Sequence, residues 1–140
     1  MKKANADAVY FHDAIAAKWD GKYRSGSFRK RSDFFVEQVL PLIPVPGHWL
    51  DAGCGSGYFS RMLTARGLNV HGIDASRPMV EMARELAGEA SLGDVLVFNS
   101  VTTVERLPFP DHHFDGCICL SVLEYLDHPN LCLDELQRVL

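Results

Sequence analysis

The sequence predicts an α/β fold in which a parallel sheet is flanked by helices. Two observations support this prediction: the order of the apolar and helical segments, and the length and composition of the chain. From residue 48 onwards, short apolar segments alternate with longer segments of helical periodicity. A strand, a helix of about ten residues and a further strand form a right-handed crossover, which makes neighbouring strands parallel. The chain has 140 residues, 47% of them hydrophobic, which is enough for one domain with one apolar core.

The N-terminal third of the chain predicts helices and no strand. A helix is expected over 6–19, where apolar residues recur near helical spacing. A second helix is expected over 29–40, because Pro41 and the prolines after it end the pattern. We therefore expect a helical segment over 1–46 that caps the site and a core over 47–140, together forming one domain.

Four strands and three helices are predicted in the core. Strands are expected over 48–52, 69–74, 94–100 and 114–120, and helices over 58–67, 76–88 and 129–140. Ser76 is expected to act as an N-cap, and Gly67 and Gly88 are expected to end their helices. Pro129 suits the first turn of the last helix, where a missing amide hydrogen has no cost.

The stretch WLDAGCGSG places three glycines, Gly53, Gly55 and Gly57, directly after the first strand. Glycine lets the chain bend sharply and lets a ligand approach the backbone. A dinucleotide-binding loop has the pattern Gly-x-Gly-x-x-Gly, but here Tyr58 stands where its last glycine is expected. Asp51 before the loop also disfavours a pyrophosphate, so a nucleotide-dependent oxidoreductase is the weaker alternative. A positively charged ligand suits this acidic position.

Asp74 ends the second predicted strand, 23 residues after Asp51. Ligands of parallel α/β sheets bind beyond the carboxyl ends of the strands, so both aspartates are expected at one site. A carboxylate can accept hydrogen bonds from both hydroxyls of a ribose, and an ionised acceptor makes strong ones. A ligand with an unphosphorylated ribose and a cationic, amino-acid-like end fits this arrangement, and S-adenosylmethionine has both.

Four segments carry a resemblance to a known family: WLDAGCGSG, VHGIDAS, LPFPDHHFDGCICLSVLEYL and LDELQRVL. Together they resemble the class I S-adenosylmethionine-dependent methyltransferases, in a large type 11-like subgroup that acts mostly on small molecules. The similarity runs from about Arg29 to Leu140. It implies a Rossmann-like sheet and an enzyme that transfers a methyl group from S-adenosylmethionine to an oxygen, nitrogen or carbon of a small organic acceptor.

The resemblance also implies which residues contact the cofactor. Contacts are expected from the glycine loop and the strand ends, at Asp51, Gly53, Cys54, Gly55, Gly57, Asp74, Ala75, Leu120 and Ser121. Many members of the family carry an aspartate for the adenine amino group after the third strand. Here that region holds no aspartate, and Asn99, Ser100, Thr102 and the backbone of Val101 are the candidates.

Two further candidates lie in the N-terminal segment, and one follows the fourth strand. In some relatives an N-terminal segment folds over the methionine end of the cofactor, which makes Tyr23 and Arg31 candidates; an ordinary surface helix is the alternative. His128 is a candidate base for a hydroxyl acceptor. The sequence around it also suits the start of a helix, and this alternative stays open. The four cysteines match no zinc or disulfide framework, so no metal is expected.

Relatives usually continue after RVL with about three more strands, so an incomplete fold of about four strands is expected here. The fourth strand would then be an apolar edge, which favours pairing with a second copy or a complementing chain. A non-catalytic subunit or fragment that binds S-adenosylmethionine and needs a partner chain is therefore the alternative function.

Charge and hydropathy bear on partners and location. The net charge of −4 gives no general signal for nucleic acid. The segment from Lys18 to Arg31 is a local exception, since it holds six basic residues and one acidic residue. We expect no nucleic-acid partner and no membrane span, since no apolar run approaches about 20 residues. Unpaired cysteines and the lack of a signal sequence favour a cytoplasmic protein.

Overall fold

A four-stranded parallel sheet forms the centre of the computed structural model, which describes residues 3–89, 92 and 95–140. Its strands are β1 (His48–Ala52), β2 (Asn69–Asp74), β3 (Leu96–Ser100) and β4 (Gly116–Ile118). Their order across the sheet is β3-β2-β1-β4, with every neighbouring pair parallel. The predicted Rossmann-like α/β class is confirmed. The predicted first residue of the third strand, Asp94, lies outside the described residues.

Five α-helices and several shorter turns complete the described chain. The helices are α1 (Lys3–Trp19), α2 (Gly26–Phe34), α3 (Tyr58–Ala65), α4 (Arg77–Glu89) and α5 (Pro129–Val139). Single 3-10 turns cover Asp20–Arg24, Leu40–Leu42 and Leu123–Tyr125, and a π-helical turn covers Phe35–Val39. Among the described residues, no helix has the length and apolar character that a bilayer crossing requires.

Apolar side chains cover both faces of the sheet, as the parallel strands require. On one face, Val70 and Phe98 pack with side chains of α3 and α4. On the other face, Leu50 and Ile73 pack against α5, where Cys132 is fully buried. Helices on both sides therefore exclude water from the sheet, and its carboxyl edge is left to form a site.

The N-terminal helical segment differs from its prediction. One helix over 29–40 was expected after a loop, but α2 begins at Gly26 and passes at Phe35 into the π-helical turn. Phe35 is buried there against Phe59, with ring centroids 4.8 Å apart. Pro41, which has no amide hydrogen, lies in the 3-10 turn that ends this run.

The predicted helix ends are confirmed in part. The Ser76 hydroxyl accepts a hydrogen bond of 3.3 Å from the Met79 amide, as an N-cap does, and Gly67 follows α3 with a φ of +108°. Pro129 occupies the first turn of α5. The prediction for Gly88 is wrong, because α4 continues to Glu89 and Gly88 does not adopt the left-handed conformation of a C-cap.

Candidate ligand-binding cleft

A cleft lies at the carboxyl ends of β1, β2 and β4 and is covered by side chains of the N-terminal helices; we call it the central cleft. Its walls include most of the predicted site residues: Tyr23, Arg31, Asp51, Gly53, Cys54, Gly55, Asp74, Ala75, Leu120 and Ser121. The cleft is open to solvent on one side, and the space between its walls, mouth included, is about 890 Å³.

Six predicted site residues lie outside the walls of the central cleft. Gly57 is buried at the start of α3. Asn99, Ser100 and Thr102 are exposed on β3 or just after it, and Val101 packs into the core on the α5 side of the sheet. His128 is exposed ahead of α5, where its backbone amide donates to Glu105 at 2.8 Å. In place of Ser100 and Val101, the next turn contributes Thr103 and Val104 to the cleft.

The glycine loop between β1 and α3 is left-handed at each glycine. Gly53, Gly55 and Gly57 have φ values of +77°, +53° and +75°. A Cβ atom on Gly53 would overlap with the side chain of Val122, and one on Gly55 would approach Trp19 Nε1 at 3.2 Å. The loop therefore needs glycine for both conformation and close approach.

The carboxylate of Asp74 joins the glycine loop to the start of α4. Its Oδ2 atom accepts a hydrogen bond of 2.8 Å from the Gly55 amide, and its Oδ1 atom accepts one of 2.8 Å from the Ser76 amide. Burial raises the pKa of this carboxyl, while these two hydrogen bonds act in the opposite direction. Each oxygen has a second lone pair, so the group can still accept hydrogen bonds from a ligand.

Asp51 is buried at the end of β1, with only 3% of its surface exposed. It accepts a hydrogen bond from the Ser60 hydroxyl on α3. Burial raises its pKa to about 7, the Ser60 hydrogen bond lowers it, and the charge of Asp74 raises it. A cation close to such a group favours its ionised form.

Tyr23 and Arg31 meet the cleft from the N-terminal segment. The Tyr23 ring stacks on Tyr58 with centroids 4.0 Å apart, and burial first, then Asp51, raises its pKa to about 12. The Arg31 guanidinium donates to the Ser121 hydroxyl at 2.7 Å and lies over the Phe28 ring. Ser121 has a φ of +56°, a strained conformation for a residue with a side chain. The segment therefore brings a neutral phenol and a cation to the strand ends.

Four aromatic residues of the cleft were not predicted as site residues, and one of them is Phe59 of α3. His12 and Trp19 reach it from α1, and Tyr125 reaches it from the turn after β4. His12 lies edge-on to both rings, at 5.0 Å from Trp19 and 5.4 Å from Tyr125. The only signal in the sequence is that His12 and Trp19, seven residues apart, share one face of a helix. Within the described ranges, no group of three metal-ligating side chains is found.

Comparison with known proteins identifies the family. Residues 50–140 match the model of a family described as a methyltransferase domain. The chain belongs to this family. S-adenosylmethionine is accordingly its cofactor, and the cleft suits that group with a bare-backbone loop, a buried carboxylate and a half-buried one.

Curated relatives of this methyltransferase domain act on different acceptors. The malonyl-[acyl-carrier protein] O-methyltransferase of Serratia marcescens is 38% identical over 92 residues, which are 64% of this chain and 32% of that protein. The 18S rRNA (guanine-N(7))-methyltransferase of Mus musculus is 34% identical over 101 residues, 68% of this chain and 33% of that protein. The chain thus spans about a third of the length of these relatives.

Solved structures agree on the fold of the domain. The [4+2]-cyclase SpnF is similar to the whole chain with a TM-score of 0.85 and 20% identity, and 57% of its own chain is covered. At that identity the likeness shows the fold alone. A Haloferax volcanii complex of the methyltransferase activator Trm112 with a methyltransferase matches 92% of this chain and 55% of that chain, with a TM-score of 0.77 and 28% identity.

Proposed function

We propose that this domain binds S-adenosylmethionine in the central cleft and takes part in methyl transfer to a small organic acceptor. The observation that carries the proposal is the hydrogen bond between Gly55 and Asp74, which places a half-buried carboxylate beside the bare backbone of the loop. When bound, the cofactor supplies a methyl group on a cationic sulfur.

Different residues of the cleft contact different parts of the cofactor. Asp74 accepts hydrogen bonds from the ribose, and Asp51 faces the positive end of the ligand. Arg31, with Tyr23 beside it, pairs with the carboxylate of the methionine part, since a guanidinium forms directional bonds with carboxylates. Leu120 and Ser121 border the methionine part near the transferred methyl. Much of the rate then comes from holding the two reactants aligned.

Calorimetry of the purified chain with S-adenosylmethionine and with NAD tests the cofactor. We expect saturable binding of the first ligand, weakened at least about tenfold by Asp74→Ala, because charged hydrogen-bond partners are worth about 1.5–3 kcal/mol. Asp74→Asn keeps an acceptor oxygen for the Gly55 amide and removes the charge. Asp115→Ala is the matched control, since the Asp115 carboxylate accepts the His48 amide away from the cleft. Binding of NAD alone would refute the proposal.

A small acceptor is supported by the charge of the chain and by the cleft. The net charge is −4, and a polyanion is attracted by positive charge. The rRNA methyltransferase among the relatives makes RNA the competing acceptor class. A gel-shift experiment with ribosomal RNA at physiological salt separates the two, since a tight RNA complex would contradict the small acceptor.

A further inference from the structure

We infer that His12 is a second ligand-binding residue of the central cleft, and that its Nε2 atom accepts a hydrogen bond from a ribose hydroxyl of the bound adenosyl group. This inference deepens the proposed function and rests on it. His12 lines the cleft together with Asp74. It was not among the residues that the sequence or the resemblance pointed to.

The tautomer of His12 is fixed by its own helix. Nδ1 lies 2.7 Å from the carbonyl oxygen of Ala8, and because a carbonyl only accepts, Nδ1 carries the hydrogen. In the neutral ring Nε2 is then an acceptor. Among the described residues Nε2 has no hydrogen-bond partner, so this atom is available to a hydroxyl in the cleft.

A short series of hydrogen bonds holds the part of α1 that carries His12 against the end of β2. The Ser76 amide donates to Asp74, and the Ser76 hydroxyl donates to the carboxylate of Asp13, the residue next to His12. This series joins α1 to the end of β2 where the ribose is expected. In addition, burial raises the pKa of Asp74, and a proton on His12 would lower it, because the two groups lie in one cleft.

The ring of His12 is held by its neighbours. Trp19 and Tyr125 contact it edge-on, from α1 and from the turn after β4. Both oxygens of Asp74 already accept backbone amides, which leaves one lone pair on each for a ligand. A ribose has two hydroxyl donors, and in the inferred arrangement Asp74 accepts one of them and His12 accepts the other.

Calorimetry with S-adenosylhomocysteine and its 2′-deoxy and 3′-deoxy derivatives tests this role. His12→Phe keeps a flat ring for Trp19 and Tyr125 but lacks the acceptor atom. We expect it to bind S-adenosylhomocysteine about 3- to 10-fold more weakly than the wild type, the effect of one hydrogen bond. For the one deoxy derivative that lacks the hydroxyl facing His12, the difference between variant and wild type should vanish.

The control is Tyr10→Phe. Tyr10 lies on the same helix as His12, and 78% of its surface is exposed. It should bind all three ligands as the wild type does. The inference is overturned if His12→Phe binds S-adenosylhomocysteine as tightly as the wild type, or if its loss is the same for all three ligands. If the wild type itself binds none of them, the proposed function fails and the role of His12 with it.

Discussion

The backbone amide of Gly55 donates a hydrogen bond of 2.8 Å to the Oδ2 atom of Asp74, which joins the loop after β1 to the end of β2. Two more amides of this loop, those of Gly53 and Cys54, donate to the carbonyl of Ile73 at 2.8 and 2.9 Å. The loop and the end of β2 therefore form one rigid unit, and a change in either should affect the other.

We predict that Gly57→Ala destabilises the fold by about 1–3 kcal/mol, the range for an added methyl in a packed site. Its Cβ atom would lie 2.5 Å from Phe98 Cζ, and the φ of +75° adds a conformational cost. Urea unfolding measures the loss.

Two glycines serve as controls for Gly57. Gly67 is also left-handed, with a φ of +108°, but has open space at its Cβ position, so Gly67→Ala isolates the conformational cost. Gly88 lies inside α4 with open space, so Gly88→Ala should stabilise by about 0.5–1 kcal/mol. Equal losses at Gly57 and Gly67 would show that the contact with Phe98 has no effect.

The sequence alone predicted the sheet and the meeting of the loop with Asp74 because both follow from a local pattern. Alternating apolar segments specify parallel strands, and parallel strands bring their carboxyl ends to one edge. The glycine spacing and the two aspartates needed no knowledge of distant contacts. The resemblance added Leu120 and Ser121, which also line the cleft.

The aromatic side of the cleft was not predictable in this way. His12 and Trp19 reach it only because α1 packs on α4, and the bond between Asp13 and Ser76 spans 63 positions of the chain. Helical spacing shows that the two rings share a face, but not which part of the molecule that face covers. The region after β3 shows the same limit, since Thr103 and Val104 line the cleft there and Ser100 and Val101 do not.

A change at Arg31 should weaken binding of the methionine end of the ligand and leave binding of its adenosyl end unchanged. We predict that Arg31→Gln weakens binding of S-adenosylmethionine about 3- to 10-fold, a modest loss because the guanidinium is exposed and screened by solvent. Binding of 5′-methylthioadenosine, which has no carboxylate, should be unchanged, as calorimetry can show. Lys30→Gln removes the neighbouring exposed charge and should affect neither ligand. A loss shared by both ligands would instead indicate a structural role for Arg31.

Asp51 should make the free protein less stable as the pH rises. Burial raises its pKa to about 7, well above the value near 3.8 of a free carboxyl. Between about pH 4 and pH 7 the folded state therefore holds a proton that the unfolded state has released, and stability falls with increasing pH across this window. Asp74, whose pKa is also raised, contributes in the same direction.

Urea unfolding at a series of pH values tests the effect of Asp51. Asp51→Asn removes the titrating group and keeps an oxygen for the Ser60 hydroxyl, so the fall in stability should become shallower. Asp134→Asn, on the exposed side of α5, should leave the profile as in the wild type. An Asp51→Asn profile with the same slope as the wild type between pH 4 and pH 7 would contradict the raised pKa of Asp51.

The same carboxyl should make the domain distinguish a sulfonium from a thioether in a pH-dependent way. S-adenosylmethionine carries a positive charge on sulfur and S-adenosylhomocysteine does not, while their amino and carboxylate groups are shared. Because the cation favours ionised Asp51, binding of S-adenosylmethionine should tighten more than that of the thioether between pH 5 and pH 8, and should release more protons. Calorimetry in buffers of different ionisation enthalpy measures the protons directly. In Asp51→Asn the two ligands should follow parallel pH profiles; parallel profiles in the wild type would place the positive sulfur away from Asp51.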